Sequence, residues 1–405
     1  MDEETARFLT SLAGRTELDS VANLPADDAR RVLVLRKAGH SLSVASGLVE
    51  VAAARKRAAR RFADADQLFF TAEMLAQASS PAVSAYHAEC LSYFATVADL
   101  GCGAGMDCIA FAQAGAQVTA WERDPVRLIF ARANAEARGV EDRITFRLGD
   151  VTREPWEADA VYWDPSRRND AGRVSRYADR YEPPLSFLQT IRHRVRGGCV
   201  KLSPALPDDV LNELDGQIQF LSEGRECKEA CLRFGAAAQQ GIVSPPSAVL
   251  LPEKRYVPQE LSPLPVAPVL GTYIHDPDPA LIRANALGTL HLPCPPLPPV
   301  FRVSADDAYV TSDAPLDPPR LGLSYRVWET LTYRPRDVAA RLRARNIGRL
   351  VVKKRHFKQE PDVVVKELGL SGKGDEATLI LVRDGKRFLA VLCEPIEPTL
   401  REPVS

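Results

Sequence analysis

The residues best equipped for chemistry in this chain lie between positions 99 and 168. Asp99-Leu-Gly-Cys-Gly-Ala-Gly105 sets three glycines at alternate positions directly after an apolar run. Such a loop turns sharply from strand to helix with no Cβ in the way, so a ligand can touch the main chain. Its G-x-G-x-G spacing differs from the G-x-G-x-x-G fingerprint that seats a pyrophosphate on a helix N-terminus. Gly101, Gly103 and Gly105 therefore suit a ligand that touches the main chain without seating a pyrophosphate, and Asp99 would attract a cationic group on it. Glu122 ends the next apolar run, where an acid of such folds binds both ribose hydroxyls. Asp150 follows a third run, where a carboxylate accepts from an adenine amino group.

A fourth run, Ala160-Val-Tyr-Trp, ends in Asp164-Pro165-Ser166-Arg167-Arg168. Asp-Pro fixes a rigid turn at the sheet edge where ligands bind, so a second substrate belongs over this turn. Arg167 and Arg168 offer forked donors to a phosphate or carboxylate, and Tyr177 or Tyr181 a stacking face. The same arginines also suit salt bridges with Asp170 or Glu182.

The elements that must position these residues follow from the sequence pattern. Residues 1–90 are rich in Ala, Leu, Arg and Glu at helical spacing and read as an N-terminal helical domain. From 91 to 243 short β-rich runs alternate with amphipathic segments, the rhythm of a mainly parallel sheet. The expected strands are Thr96–Leu100, Gln117–Glu122, Arg143–Leu148, Ala158–Trp163 and Gly198–Leu202, with a closing pair near Ile218–Leu221 and Cys231–Phe234. Proline is dense from 244 to 300 and predicts an extended connection. Beyond it, a helix over Arg336–Asn346 and strands at Leu350–Lys354, Ala377–Val382 and Phe388–Cys393 make a compact α+β domain over 301–405. The fold class is α/β, with a Rossmann-like core flanked by helical and α+β parts.

Composition narrows the setting. The 405 residues are 45% hydrophobic and 26% charged, which is globular rather than disordered. A net charge of -1 leaves no global field for nucleic acid, so such a partner needs a local basic patch. Eight cysteines lack paired C-x-x-C spacing, and the histidines, His87 and His275 included, lack ligand spacing; no metal is expected. No apolar run is long enough to span a bilayer, so the expectation is a cytoplasmic protein without membrane contact.

Taken in order and spacing, Asp99–Gly105, Glu122, Asp150 and Asp164-Pro165 resemble the class I S-adenosylmethionine-dependent methyltransferases, over about residues 68 to 235. The resemblance implies S-adenosylmethionine as cofactor, held by Asp99, the three glycines, Glu122 and Asp150. Amino-methylating members carry Asn/Asp-Pro-Pro-aromatic at the acceptor turn, which implies catalytic roles for Asp164 and Pro165. Here Ser166 replaces the second proline and Arg167 the aromatic, so the acceptor chemistry stays open.

Phe69-Phe70-Thr71 and the loop after it are similar to the cap-guanosine N2-methyltransferases. A bacterial methyltransferase family with a THUMP-like C-terminal domain matches further. The points of likeness are Glu122-Arg-Asp-Pro125, Pro183-Pro184, Lys201-Leu-Ser-Pro204, Asp276-Pro-Asp-Pro-Ala280 with Arg283, and Lys353-Lys-Arg355. That family implies RNA as partner. Two basic clusters agree: Arg341, Arg343, Arg345 and Arg349 leading into Lys353, Lys354 and Arg355, and Arg55-Lys-Arg57 with Arg60 and Arg61. Methylation of a small molecule or protein, or cofactor binding without catalysis, stay open beside methylation of an RNA base.

Overall fold

Well-capped helices lead into the sheet. In the computed structural model the described residues are 1–21, 23–24, 27–166, 181–238, 246–252, 255–258, 264–291, 299–316 and 321–396. The first helices are α1 (Glu3–Thr10), α2 (Leu12–Val21), α3 (Asp28–Lys37), α4 (Leu42–Ala58), α5 (Ala72–Gln77) and α6 (Pro81–Leu91). Asp2, Asp27, Ser41, Thr71 and Ser80 begin five of these by accepting a first-turn backbone N–H, which satisfies donors that the helix itself leaves unpaired.

Strands β1 (Thr96–Leu100), β2 (Gln117–Glu122), β3 (Ile144–Leu148), β4 (Ala160–Trp163) and β5 (Gly197–Leu202) then alternate with helices α7 (Met106–Gln113), α8 (Pro125–Ala137) and α9 (Phe187–Arg192). After α10 (Asp208–Glu213) come β6 (Gln217–Glu223) and β7 (Glu226–Gly235). The strand order is β3-β2-β1-β4-β5-β7-β6. β1 to β5 pair in parallel, and β7 runs antiparallel to β5. β4 and β5 are buried along their whole length, as expected of central parallel strands covered on both faces. The order reverses between β1 and β4, so the carboxyl ends of these two strands flank the crevice where open α/β sheets bind ligands.

The chain divides into two compact units, 1–223 with 228–244 and 251–254, and 224–227 with 245–250 and 255–405. The amino-terminal helices therefore share a unit with the sheet, where an independent domain over 1–90 was expected. Their apolar faces need the sheet's helices: α1 packs on α8 and α6 on α7, and Phe69 lies 5.7 Å from the ring of Phe130.

The second unit holds β10 (Tyr273–Pro277), α11 (Pro279–Arg283), β11 (Phe301–Arg302), β12 (Val310–Ser312), β13 (Gly322–Thr332), α12 (Pro335–Ala344), β14 (Ile347–Lys354), α13 (Pro361–Leu368), β15 (Asp375–Asp384) and β16 (Arg387–Pro395). The strand order is β11-β12-β10-β13-β16-β15-β14. β15 shows the alternation that builds the core: Leu379 and Leu381 face α12 and α13 through Val338, Leu342, Val364 and Leu368, while Ile380 and Val382 join Ile274, Tyr309 and Tyr325 on the other side. The proline-dense stretch is not simply an extended connection. Besides β10 and α11 it contains an antiparallel pair, β8 (Ser247–Leu251) with β9 (Arg255–Pro258). Among the described residues no helix is long and apolar enough to cross a membrane.

Candidate active site

The glycine loop leaves β1 with Gly101 at φ +100°, Gly103 at +56° and Gly105 at +85°. These left-handed conformations cost glycine nothing and strain other residues. A Cβ on Gly103 would meet no protein atom within 4 Å, whereas one on Gly105 would press on Ala131 at 3.1 Å. Gly103 keeps space open, and Gly105 lets α8 approach. A Cβ on Gly101 would lie 3.4 Å from the carbonyl oxygen of Asp164, so the glycine loop and the Asp164-Pro165 turn adjoin across the crevice.

Glu122, buried at the end of β2, organises the loop. One carboxylate oxygen accepts the Gly103 N–H at 3.0 Å, and the other accepts the N–H groups of Arg123 at 2.8 Å and Asp124 at 3.0 Å. A buried acid thus ties the loop to the end of β2 through three backbone N–H groups. Asp150 lies in the turn after β3, where its side chain accepts the Thr152 N–H and hydroxyl and pairs with Arg153 at 3.5 Å. The preceding Gly149 N–H donates to the Glu122 carbonyl at 3.0 Å, which brings the two turns together.

Asp99 is fully buried, and neither of its carboxylate oxygens has a hydrogen-bond partner. Burial, with the Asp107, Asp164 and Glu122 carboxylates nearby, pushes its pKa well above the usual carboxylate range. An orphaned acid at this point calls for a cation. At the opposite lip, Asp164 accepts from the buried Lys201 ammonium at 2.8 Å. Burial opposes charge on Lys201, but Asp164, Glu229 and Asp107 outweigh it and hold the ammonium above its ordinary range. Pro165 is buried, and Ser166 exchanges two backbone hydrogen bonds with Glu182 at 3.0 Å each.

Beneath the loop lies a network that spacing did not disclose. His87 of α6 bonds Asp107 of α7 through Nδ1 at 2.8 Å and Glu229 of β7 through Nε2 at 2.7 Å. Asp107 also accepts from Ser79 at 2.8 Å. Burial opposes charge on His87, yet Glu229 and Asp107 prevail, so its pKa is raised well above the ordinary imidazole value. His87 is thus an imidazolium between two carboxylates, where sequence reasoning assigned it no chemistry. Its partners stand 20 and 142 positions away, beyond any spacing motif. The ligand atoms of His87, Glu229 and Cys231 lie within 4.8 Å of one another, but hydrogen bonds to carboxylates occupy both imidazole nitrogens.

Residues 94–205 match the family model described as RNA cap guanine-N2 methyltransferase, and residues 322–395 the one described as THUMP domain-like. The chain carries an S-adenosylmethionine-dependent methyltransferase domain and a THUMP-like domain. Two uncharacterized S-adenosylmethionine-dependent methyltransferases of Mycobacterium tuberculosis, from strains CDC 1551 / Oshkosh and ATCC 25618 / H37Rv, are each 29% identical over 365 residues, or 86% of this chain and 96% of theirs. A crystal structure from Porphyromonas gingivalis W83, of a protein described provisionally as a methyltransferase, has a TM-score of 0.70 at 18% identity over 98% of this chain and 97% of that one. The latter likeness is one of fold.

The methyltransferase domain fits its cofactor. Asp99 offers an unpaired carboxylate to an ammonium or sulfonium, the glycine loop gives open space at Gly103, and Glu122 presents a carboxylate at the loop. A separate cleft of about 620 Å³ is lined by Met1, Asp2, Thr71, Met74, Arg123 and Arg127 among others, and by neither the loop glycines nor Glu122. Arg167, Arg168, Asp170 and Tyr177 lie outside the described residues. Tyr181 is buried, its hydroxyl accepting the Ser203 N–H at 2.8 Å, so it serves the turn after β5 rather than a stacked ligand.

The basic clusters are largely engaged. Arg55 donates to the Leu68 carbonyl at 2.9 Å and lies 4.9 Å over the Phe69 ring, and Arg61 donates to the Leu75 carbonyl. In the THUMP-like domain Lys354 pairs with Glu360 at 3.0 Å, Arg341 with Glu329 at 3.2 Å, and Arg343 caps α13 through the Leu368 carbonyl at 3.1 Å. Lys353 and Arg355 converge on Asp276.

Proposed function

We propose that this chain methylates a base of RNA, with an amino group as acceptor, in the cytoplasm. The observation that carries the reading is the apposition of the glycine loop and the Asp164-Pro165 turn across the crevice, with the orphaned Asp99 on one side and the Lys201-paired Asp164 on the other. S-adenosylmethionine, when bound, supplies an already activated methyl group. The protein's task is therefore alignment rather than acid or base strength.

Asp99, Gly101, Gly103, Gly105, Glu122 and Asp150 hold the cofactor. The Asp164 carboxylate accepts an acceptor N–H, and the Pro165 turn sets the direction of approach. Lys201 keeps Asp164 aimed, so that the acceptor's lone pair faces the methyl carbon for in-line displacement without a covalent enzyme intermediate. RNA is supported by the description of the family model over 94–205, by the likeness of 322–395 to a THUMP domain, and by Lys353, Lys354 and Arg355 in that region. Arg167 and Arg168, next to the acceptor turn in sequence, are assigned to substrate.

The test compares nucleosides by mass spectrometry in RNA from cells with and without the protein. One methylated nucleoside should vanish and return with the wild-type chain but not with Asp164→Ala. An unchanged nucleoside profile, with cofactor binding intact, would sink the RNA reading.

A further inference from the structure

Three cations of the second unit surround a single carboxylate. Asp276, at the end of β10, receives the Lys353 ammonium at 3.2 Å on one oxygen and the Arg355 guanidinium at 2.5 Å on the other. Arg225, in the 224–227 segment of the same unit, donates to the Asp276 carbonyl at 2.9 Å and stands 3.7 Å from its carboxylate. One carboxylate neutralises one of the three charges. Asp307, whose charge like that of Asp276 acts on Tyr309, already accepts the Ala308 and Arg383 N–H groups, and Glu394 is the register partner of Arg326 across β13 and β16.

The cations are held in place more firmly than ion pairing requires. Arg355 lies 4.9 Å over the Tyr309 ring and Lys353 5.7 Å over that of Tyr325, contacts that fix a cation against an aromatic face. Nη1 of Arg225 and Nε of Arg355 are buried with no hydrogen-bond partner. Unused guanidinium donors inside a protein are costly, and a structural salt bridge gains nothing from a third cation. The side chains nevertheless keep 22–28% of their surface in solvent, so the cluster presents an open cationic face.

We propose that Arg225, Lys353 and Arg355, ordered by Asp276, form a binding site for one phosphate of an RNA backbone. A phosphodiester's oxygens match the forked donors of two guanidinium groups with a lysine beside them. The proposal rests on the reading that RNA is the partner, and it assigns part of the grip to the second unit.

The test measures binding of a fluorescently labelled single-stranded RNA to the full chain by anisotropy, across a salt series. Arg225→Gln and Arg355→Gln should each weaken binding and lower the slope of log K against log salt by about 0.7, the release expected per phosphate contact on a single strand. Asp276→Asn should leave affinity the same or raise it. Affinity for S-adenosylmethionine, measured on each variant, verifies the fold.

A second arm follows the thermal midpoint in inorganic phosphate at constant ionic strength. A rise in wild type that is lost in Arg355→Gln, together with unaltered RNA slopes, would assign the site to free phosphate and overturn the RNA assignment. Slopes and midpoints that respond to neither ligand, with all three variants merely less stable, would overturn the site altogether. Altered RNA slopes beside an unchanged nucleoside profile would instead retain the anion site and refute the methylation reading.

Discussion

Lys201→Met replaces the buried ammonium that holds Asp164 with an uncharged chain of similar length. At 2.8 Å the attraction between the pair is about 6 kcal/mol for an effective dielectric near 20, and desolvation of the ammonium offsets much of it. Removing one partner of a fully buried pair costs ~3–5 kcal/mol. The Asp164 side chain keeps 27% of its surface exposed, which lets water take over part of the role and places the loss at about 2–3 kcal/mol. If Lys201 aims Asp164, that loss falls on the transition state and lowers kcat/KM roughly 30- to 150-fold. The assay is transfer of labelled methyl groups into RNA from cells lacking the protein, with cofactor affinity measured separately by calorimetry. Affinity should change little, and Lys201→Arg, which restores a cation, should recover part of the rate. Full activity in Lys201→Met while Asp164→Ala is dead would refute the positioning role, and an equal loss of cofactor affinity would move Lys201 to the cofactor side.

Glu122→Ala removes acceptors from the loop and the proposed ribose contact; at ~1.5–3 kcal/mol for charged hydrogen bonds, calorimetry should show cofactor affinity roughly 10- to 150-fold weaker, and an unaltered Kd contradicts the assignment. Because Asp99 has a raised pKa, uptake of the cationic cofactor should expel a proton and affinity should rise with pH; equal binding heats in buffers of different ionisation enthalpy, with a flat profile, would count against this. His87→Gln removes the imidazolium between Asp107 and Glu229, leaving Lys201 as a cation near them, and chemical denaturation at neutral pH should register a loss of ~3–5 kcal/mol. Since the folded pKa of His87 is raised, its stabilisation is complete below about pH 6.5 and fades as pH climbs through the raised value. The difference between wild type and His87→Gln should therefore shrink in alkaline solution, and a constant difference would show that packing, not charge, is lost.

The core was legible because short apolar runs punctuated by glycine and acids leave few alternatives. β1 and β2 form over the expected residues, and Asp99, Glu122 and Asp164 all reach the carboxyl edge. Interactions between distant residues were not legible. Lys201 reads as part of an apolar strand until β5 is laid beside β4, and His87 reads as a helix residue until β7 brings Glu229 to it. Arg55 and Arg61 stand in a basic run that reads as an RNA contact, yet their guanidinium groups satisfy main-chain carbonyls at Leu68 and Leu75. β13, eleven residues long, escaped notice because Arg326, Glu329 and three threonine or serine positions break the apolar alternation on its half-exposed face. Proline density misled over 244–300 because prolines can flank short strands as well as prevent them.

Asn134 of α8 reaches two places at once. Its buried amide accepts the Phe69 N–H at 2.7 Å and donates to the carbonyls of Phe69 at 3.1 Å and of Ala104 at 2.9 Å. The leader into α5 and the glycine loop are thereby tied to one side chain, and thermodynamic linkage makes the tie reciprocal. Whatever free energy the cofactor spends on ordering the loop is returned as protection of the Phe69 amide against hydrogen exchange. A chain cut ahead of Thr96 to isolate the sheet would therefore weaken its hold on the cofactor along with discarding the helices.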